Sequence, residues 1–293
     1  MAYAIWPVLM GISIVILFST DSTFCFAGFL IFGIAAGQFL IIIFLEHVSP
    51  IDPDWSLLGD PQKFSHIGHA ATSEMGSAAG AGAAVYFSQL VANGFGWGLE
   101  LWPNSWPILA QICIGLLIHE FFAYWLHRAF HEAPALWPIH AIHHSIERMN
   151  VLVTGRTHLF SAFVSRSILL APLYLAGATD EVFAAVAAVT LWSANLAHAN
   201  IKMRFPAWIL PIITTNLTHH LHHDRDIAVG NGNYGSVLLV YDRIFRTYIP
   251  SAAKSKVEIG VTNDPVPRKF LLELLAPVIW PYLVRQKNRI VRN

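Results

Sequence analysis

The sequence contains few charged residues and almost no cysteine. Of its 293 residues, 12% are charged and 55% are hydrophobic, and its 18 basic side chains balance its 18 acidic ones. This composition is typical of a membrane protein, and the zero net charge gives no indication of a nucleic-acid partner. Cys25 and Cys113 each stand alone in an apolar segment, so we expect no disulfide framework and no iron–sulfur cluster.

Apolar segments occupy much of the chain. An α-helix needs about 20 apolar residues to cross a bilayer. We therefore predict an all-α, polytopic helical bundle with five or six crossings, a count that depends on the first and third segments. The segments are 4–18, 24–46, 67–92, 107–126, 159–177 and 181–200. The polar stretch 52–64 is predicted to be a loop outside the membrane.

The basic residues predict the orientation of this bundle. The turns 19–23, 93–106 and 178–181 contain no Lys or Arg, so all 18 basic residues fall on the other side. Loops rich in Lys and Arg stay in the cytoplasm, which predicts that the histidine clusters described next face the cytoplasm. We divide the chain into N-terminal membrane helices (1–106), a catalytic membrane and cap region (107–250) and an amphipathic interfacial segment (251–293).

Histidine is unusually common, with 15 residues, and most of them fall into three short clusters. Imidazoles three or four positions apart lie on one face of a helix. Three such sets favour a metal site over a surface patch that titrates with pH. The clusters are His127 and His131; His140, His143 and His144; and His219, His222 and His223.

The type and number of these side chains indicate the metal. Imidazole binds Zn, Cu, Fe and Ni, and eight imidazoles are too many for one ion. The Glu-x-x-His pattern of soluble di-iron bundles is missing. A pair of iron ions held by histidines at the membrane surface is the remaining interpretation.

Several motifs together resemble the fatty acid hydroxylase and sterol desaturase superfamily over residues 119–248, and weakly to about residue 275. The motifs are His127-Arg128-x-x-His131, His140-x-x-His143-His144-Ser145-x-Glu147-x-Met149-Asn150, His198-Ala199-Asn200, His219-x-x-His222-His223, and Asn233-Tyr234-Gly235 through Tyr241-Asp242-Arg243-Ile244-Phe245. The resemblance implies a membrane di-iron enzyme that uses dioxygen to hydroxylate or desaturate a lipid. It also implies that His198 is a ninth ligand.

The sequence departs from the family pattern at four positions. Glu120 stands where many members have Asp, Leu159 where Pro is usual, His220 where Arg is frequent and Arg246 where Gly is frequent. None of these changes removes a ligand. They bear on which subfamily the chain belongs to and on which substrate it binds, and not on the metal site.

Glu120, Glu147 and Asn150 are the candidate catalytic residues beside the metal ligands. Glu120 is seven positions before His127 on one helical stripe and is expected to hydrogen-bond a metal-bound imidazole. Glu147 and Asn150 directly follow the second cluster, where a solvated helix face is the alternative interpretation. His158 is left open as a ligand, a hydrogen-bond donor to a ligand or a lipid-headgroup contact. We expect a structural role for His119, an interfacial or packing role for His47, His66 and His69, and a structural ion pair of Asp242 with Arg243.

The predicted function is a lipid monooxygenase, or, within the same superfamily, a sterol C-5 type desaturase. No dinucleotide-binding motif is visible, so we expect electrons from a separate cytochrome b5, ferredoxin or reductase. A zinc protease is disfavoured because His119-Glu120 is not part of an H-E-x-x-H motif. A membrane metal or haem carrier is disfavoured because its polar residues should line a path through the bilayer, whereas these histidines lie at helix ends.

Overall fold

The protein is built from α-helices. The structure, a computed structural model, describes residue 3 and residues 5–19, 24–95 and 101–292. Within those residues it contains eleven α-helices, three short 3-10 turns and no strand, which confirms the all-α prediction. The helices are α1 Ile5–Ser19, α2 Phe24–Val48, α3 Lys63–Phe95, α4 Ile108–Glu132, α5 Trp137–His144, α6 Leu159–Ala176, α7 Asp180–His198, α8 Asn216–His222, α9 Ile227–Gly230, α10 Val240–Ile244 and α11 Phe270–Arg292.

Each of the six predicted apolar segments coincides with one long helix. The largest difference at a helix start is in α3, which begins at Lys63 and includes polar residues before the apolar stretch. Residues 20–23 and 96–100, which fall in two of the predicted turns, lie outside the described residues. The division of the chain into three regions stays a prediction.

Helices α4, α6 and α7 pack together in the bundle. Helix α4 packs against both α6 and α7, and α7 packs against α1 and α2. The interior between α4, α6 and α7 holds Leu173, Val182 and Val186, and a second cluster around Trp192 joins α7 to α1 and α2. Since α4 ends at Glu132 and α7 at His198, both helices bring histidines to the same end of the bundle.

Helices α3 and α6 approach each other closely along a row of small residues. A methyl group on Gly76 would lie 2.3 Å from the carbonyl oxygen of Leu159, and one on Gly80 would lie 2.4 Å from that of Phe163. Small residues at such positions allow membrane helices to pack backbone against backbone. This contact fixes α3 against the helix that forms one wall of the cavity described below.

The apolar helices are those of a membrane protein. Among the described residues, three helical segments are long and apolar enough to cross a bilayer, Phe29–Val48, Ile108–Glu132 and Leu159–Ala176. Helix α3 is rich in Gly, Ala and Ser, and α7 begins with Asp180 and Glu181, which lowers the hydropathy of both helices. The five or six crossings and the membrane side of the histidines stay predictions.

Replacing Gly76 by Ala tests the contact between α3 and α6. The new methyl group collides with backbone that cannot rotate away, so we expect a loss of about 1–3 kcal/mol in the free energy of unfolding. Gly82→Ala is the matched control, because nothing lies within 4 Å of that position. Thermal unfolding in detergent, followed by circular dichroism, should show a lower midpoint for Gly76→Ala only; equal midpoints would contradict the close packing.

Candidate metal centre

All nine histidines proposed as ligands converge at one end of the bundle. They form two groups, and within each group the candidate ligand nitrogens lie within 4.8 Å of one another. The five-histidine group contains His127, His131, His140, His144 and His222. The four-histidine group contains His143, His198, His219 and His223. Both groups could hold a metal ion.

The two groups do not correspond to the clusters in the sequence. His140 and His144 belong to the five-histidine group, whereas His143 belongs to the other. Successive residues of an α-helix are rotated by about 100°, so adjacent histidines point to different groups. For the same reason His222 separates from His223. Histidines four residues apart belong to the same group, as His140 and His144 do. The histidine directly before the second of them belongs to the other group.

Hydrogen bonds at Nδ1 set the orientation of the rings. In four rings Nδ1 lies close to a backbone carbonyl oxygen, which can only accept a hydrogen bond, so Nδ1 carries the proton. Nε2 then keeps its lone pair, the form in which a histidine binds metal through that atom. The pairs are His127 with Tyr234 (2.8 Å), His143 with Arg156 (3.1 Å), His198 with Ala194 (2.9 Å) and His222 with Gly232 (2.9 Å).

This arrangement fits a bound cation. The Nε2 atoms of His143 and His198 are 3.3 Å apart, and both carry lone pairs because both Nδ1 atoms donate. Two lone pairs at this distance repel each other, and a cation between them removes the repulsion. In the other group, Nε2 of His222 is buried without any hydrogen-bond partner, although buried polar atoms are normally paired. The residues therefore fit metal ions in both groups.

The histidines on α5, on α8 and directly after α8 are uncharged. Burial lowers the pKa of each of them well below its ordinary value, and repulsion between neighbouring imidazoles adds to the effect. Metal ligation requires neutral imidazole, so the site is ready to bind a cation at neutral pH. The histidines concerned are His140, His143, His144, His219, His222 and His223.

The carboxylate of Asp242 holds the loop that carries two of the acceptor carbonyls. It accepts hydrogen bonds of 2.8 Å from the backbone N–H groups of Tyr234 and Gly235, and one of 2.7 Å from the Thr247 hydroxyl. The carbonyl of Tyr234 is thereby held where it accepts the hydrogen bond from Nδ1 of His127. The expected ion pair with Arg243 is absent from the described residues, because these backbone donors occupy the carboxylate.

Glu120 holds the next part of the same loop. Its buried carboxylate accepts hydrogen bonds from the backbone N–H groups of Ser236, Val237 and Leu238, at 3.0–3.1 Å, and from the Ser236 hydroxyl. The structure shows no hydrogen bond from Glu120 to a histidine of either group. Glu120 therefore acts on the site through the loop, and a catalytic role for it stays a prediction.

The other two candidate catalytic residues also lie away from the imidazoles. Glu147 is exposed and pairs with Arg268 at 2.8 Å. Asn150 is buried, donates to Asp60 at 3.0 Å and caps a 3-10 turn by accepting from the backbone of Leu152. Both contacts are structural, and catalytic roles for both residues stay predictions.

A buried ion pair of Arg156 with Glu273, which sequence reasoning missed, supports the four-histidine group. Both side chains are fully buried, 3.0 Å apart, and the carbonyl of Arg156 accepts the hydrogen bond from His143. Burial alone raises the pKa of Glu273, but the hydrogen bond from His69 and the charge of Arg156 outweigh burial and lower this pKa to about 2. Glu273 is thus ionised at neutral pH and fixes Arg156.

The structure also places the histidine whose role was left open. Nδ1 of His158 accepts a hydrogen bond from the backbone of Phe160, and Nε2 donates to the carbonyl of Leu274. Both ring nitrogens are therefore occupied by protein atoms, and His158 caps the start of α6. His220 lies outside both groups and packs edge-on against Trp55.

Two cavities reach the histidines from different sides. One, of about 230 Å³, lies between α4, α6 and α7 and touches both groups, at His127 and His140 and at His143, His198 and His219. The other, of about 400 Å³, touches only the five-histidine group and is also lined by Asp224 and Arg225. The first cavity is the only one of the two that adjoins both candidate metal positions.

The fold and the site define a membrane protein with a histidine-rich centre able to hold metal. The family model for fatty acid hydroxylase matches residues 112–247. The ornithine lipid hydroxylase OlsE of Rhizobium tropici is 34% identical over 241 residues, which cover 81% of this chain and 72% of that protein. The chain belongs to the fatty acid hydroxylase family, as the motifs predicted.

More distant relatives agree with this assignment. Alkylglycerol monooxygenases of Danio rerio and Homo sapiens are 32% and 28% identical over 177 and 173 residues. These matches cover 56% and 55% of this chain but only 35% and 34% of those proteins. No solved structure matches the chain. Hydroxylases and monooxygenases are oxidoreductases, and this chain is an enzyme of that class.

Replacing Glu273 by Gln tests the buried ion pair. Removing one partner of a buried pair leaves an uncompensated charge and costs about 3–5 kcal/mol. We expect a lower unfolding midpoint and weaker metal retention, because the carbonyl that orients His143 loses its support. Glu258→Gln is the matched control, since its pair with Arg225 is exposed and 3.8 Å long. If both variants unfold and retain metal alike, Glu273 does not support the site.

Proposed function

We propose that this protein is a di-iron enzyme that hydroxylates a membrane lipid. The observation that carries the proposal is one cavity between membrane helices that touches both histidine groups. A substrate segment in this cavity adjoins both candidate metal positions at once. The names of the relatives, which are hydroxylases and monooxygenases, support the same chemistry.

The number and arrangement of the histidines support two iron ions. Five and four imidazoles give each ion a nitrogen coordination sphere, and neither group includes a cysteine or a carboxylate. Histidine-bound non-haem iron supplies the dioxygen chemistry that oxidation of an unactivated C–H bond requires. In such a hydroxylation one oxygen atom enters the substrate, and the other leaves as water after the uptake of two electrons and two protons.

The residues of the chain contribute orientation and exclusion of water. Ala123, Leu126 and Leu169 line the cavity with apolar surface, which suits a hydrocarbon chain and disfavours water. The backbone carbonyls at Tyr234, Gly232 and Arg156 hold the imidazoles with Nε2 pointing inward. The geometry is thus fixed before substrate enters, which is what positioning of a reactive C–H bond demands.

The substrate we propose is a polar lipid with a long hydrocarbon chain. The first relative is named for ornithine lipid and the others for alkylglycerol, both of which join a polar group to such chains. Because the relatives named above are hydroxylases and monooxygenases, we favour an alcohol product over an alkene. A sterol desaturase is the weaker alternative.

The proposed topology places the histidines on the cytoplasmic side of a multi-pass protein, where the basic residues lie. Helix α11 packs on α5 through Ala276 and exposes Leu271, Leu275, Val278 and Tyr282. Their spacing puts them on one face, so we propose that this face rests on the membrane surface. The more polar cavity beside the five-histidine group then faces the cytoplasm, where an electron donor such as cytochrome b5, a ferredoxin or a reductase could approach.

Lipid analysis tests the proposed function. Cells that express the protein under ¹⁸O-labelled dioxygen should contain a lipid with one added labelled oxygen atom, identified by mass spectrometry of total lipid extracts. His222→Ala should abolish this product, and His47→Ala, which changes an exposed histidine outside both groups, should not. A lipid that only loses two hydrogens would indicate a desaturase; unchanged lipids would overturn the proposal.

A further inference from the structure

His119 is a buried histidine without a hydrogen bond. It lies on α4, is 4% exposed and lines the cavity between α4, α6 and α7. Its Nδ1 is buried and unpaired, since the nearest carboxylate oxygen, Oε1 of Glu120, is 3.8 Å away. That distance is too long for a hydrogen bond. No described residue pairs with its Nε2 either.

Each of the other buried histidines outside the two groups has a partner in the protein, although Nδ1 of His69 and Nε2 of His220 are also unpaired. His66 contacts Asp60 at 3.1 Å, His69 contacts Glu273 at 2.9 Å, and His158 bonds through both nitrogens. His220 lies beside the backbone of His198 and Ala199 at the end of α7 and packs edge-on against Trp55. An imidazole that only filled space would normally be paired in the same way, so the free nitrogens of His119 need another partner.

His119 lies at a distance along the cavity from the histidine groups, where the proposed oxidation takes place. It precedes His127 by eight residues, which places it about 12 Å further along the helix axis. The α4 side chains between them in the cavity are Ala123 and Leu126, both apolar. Along its α4 wall the cavity therefore has the histidine groups at one end, apolar side chains in the middle and the His119 imidazole towards the other end, while Ser161, Ser165 and Thr190 line it from α6 and α7.

We propose that His119 binds an oxygen atom of the lipid, a carbonyl or a hydroxyl, and so determines which carbon lies beside the histidine groups. The inference rests on the proposed function, because only a substrate of that reaction has a carbon to be positioned. A polar side chain deep in a membrane helix is costly without a partner. A site with a buried hydrogen-bonding group also rejects an analogue that lacks the matching atom. His119 is thus a specificity-determining residue that fixes the distance between a polar group and the site of oxidation.

Ligand binding without turnover tests this inference. The full-length protein is purified in detergent and held without dioxygen or reductant. The probes are octadecane and a series of octadecanones whose carbonyl lies at successive carbons, and their relative affinities are measured by native mass spectrometry. One hydrogen bond should make the best-placed ketone bind roughly three- to tenfold tighter than octadecane.

Three variants identify the residue responsible. His119→Phe should bind every ketone like octadecane, because it keeps an aromatic ring but has no hydrogen-bonding nitrogen. His119→Gln, which keeps a donor and an acceptor, should restore part of the preference. Cys113→Ala, an exposed position on the same helix, should match the unchanged protein. Equal binding of all probes to the unchanged protein, or a preference that survives in His119→Phe, would overturn the inference.

Failure of this inference and failure of the proposed function remain distinguishable. If only the inference is wrong, the labelled lipid still forms and the ketone preference does not depend on His119. If only the proposed function is wrong, no oxidised lipid forms while the ketone preference still disappears in His119→Phe. The binding result then shows a lipid-oxygen site in this cavity without the oxidation.

Discussion

The repulsion between imidazole lone pairs is the constraint on which the rest of the site depends. Nε2 of His143 and Nε2 of His198, whose Nδ1 atoms both donate to backbone carbonyls, meet at 3.3 Å, a spacing that two lone pairs do not favour on their own. The protein imposes this spacing by holding Nδ1 of four rings on backbone carbonyls, at Tyr234, Arg156, Ala194 and Gly232. A cation bound by the lone pairs offsets the repulsion that the fold has built up.

The buried acidic residues near the site act on its scaffold. Asp242 and Glu120 bind consecutive N–H groups of the loop that carries the Tyr234 carbonyl. Glu273 fixes Arg156, whose carbonyl orients His143. Both groups therefore consist of imidazoles alone. The negative charges lie outside them, on residues that hold the surrounding backbone. Glu273 also joins the site to α11, so the C-terminal helix contributes to a centre far from it in sequence.

Much of the fold and the full set of nine histidines could be predicted from the sequence. An apolar segment indicates by itself that a helix is buried or faces lipid. Spacings of three and four residues indicate that side chains share one face of a helix. The division of the histidines into two groups could not be predicted, because it depends on how α4, α5, α7 and α8 meet. Nor could the role of Glu273, which is 117 residues from Arg156. Glu147 and Asn150 were predicted to be catalytic because they follow the second histidine cluster in the sequence. Their side chains instead hydrogen-bond Arg268 and Asp60.

This protein combines a cavity between apolar helices, two imidazole groups and membership of the fatty acid hydroxylase family. We propose that each group holds one iron ion, and the iron content of the protein tests this proposal. Elemental analysis of the purified, iron-reconstituted protein should give about two irons per chain. Adjacent substitutions separate the groups: His222→Ala should weaken the five-histidine site and His223→Ala the four-histidine site, each removing about one iron, and together removing nearly all. A single iron per chain, or unchanged iron content in both variants, would contradict the account.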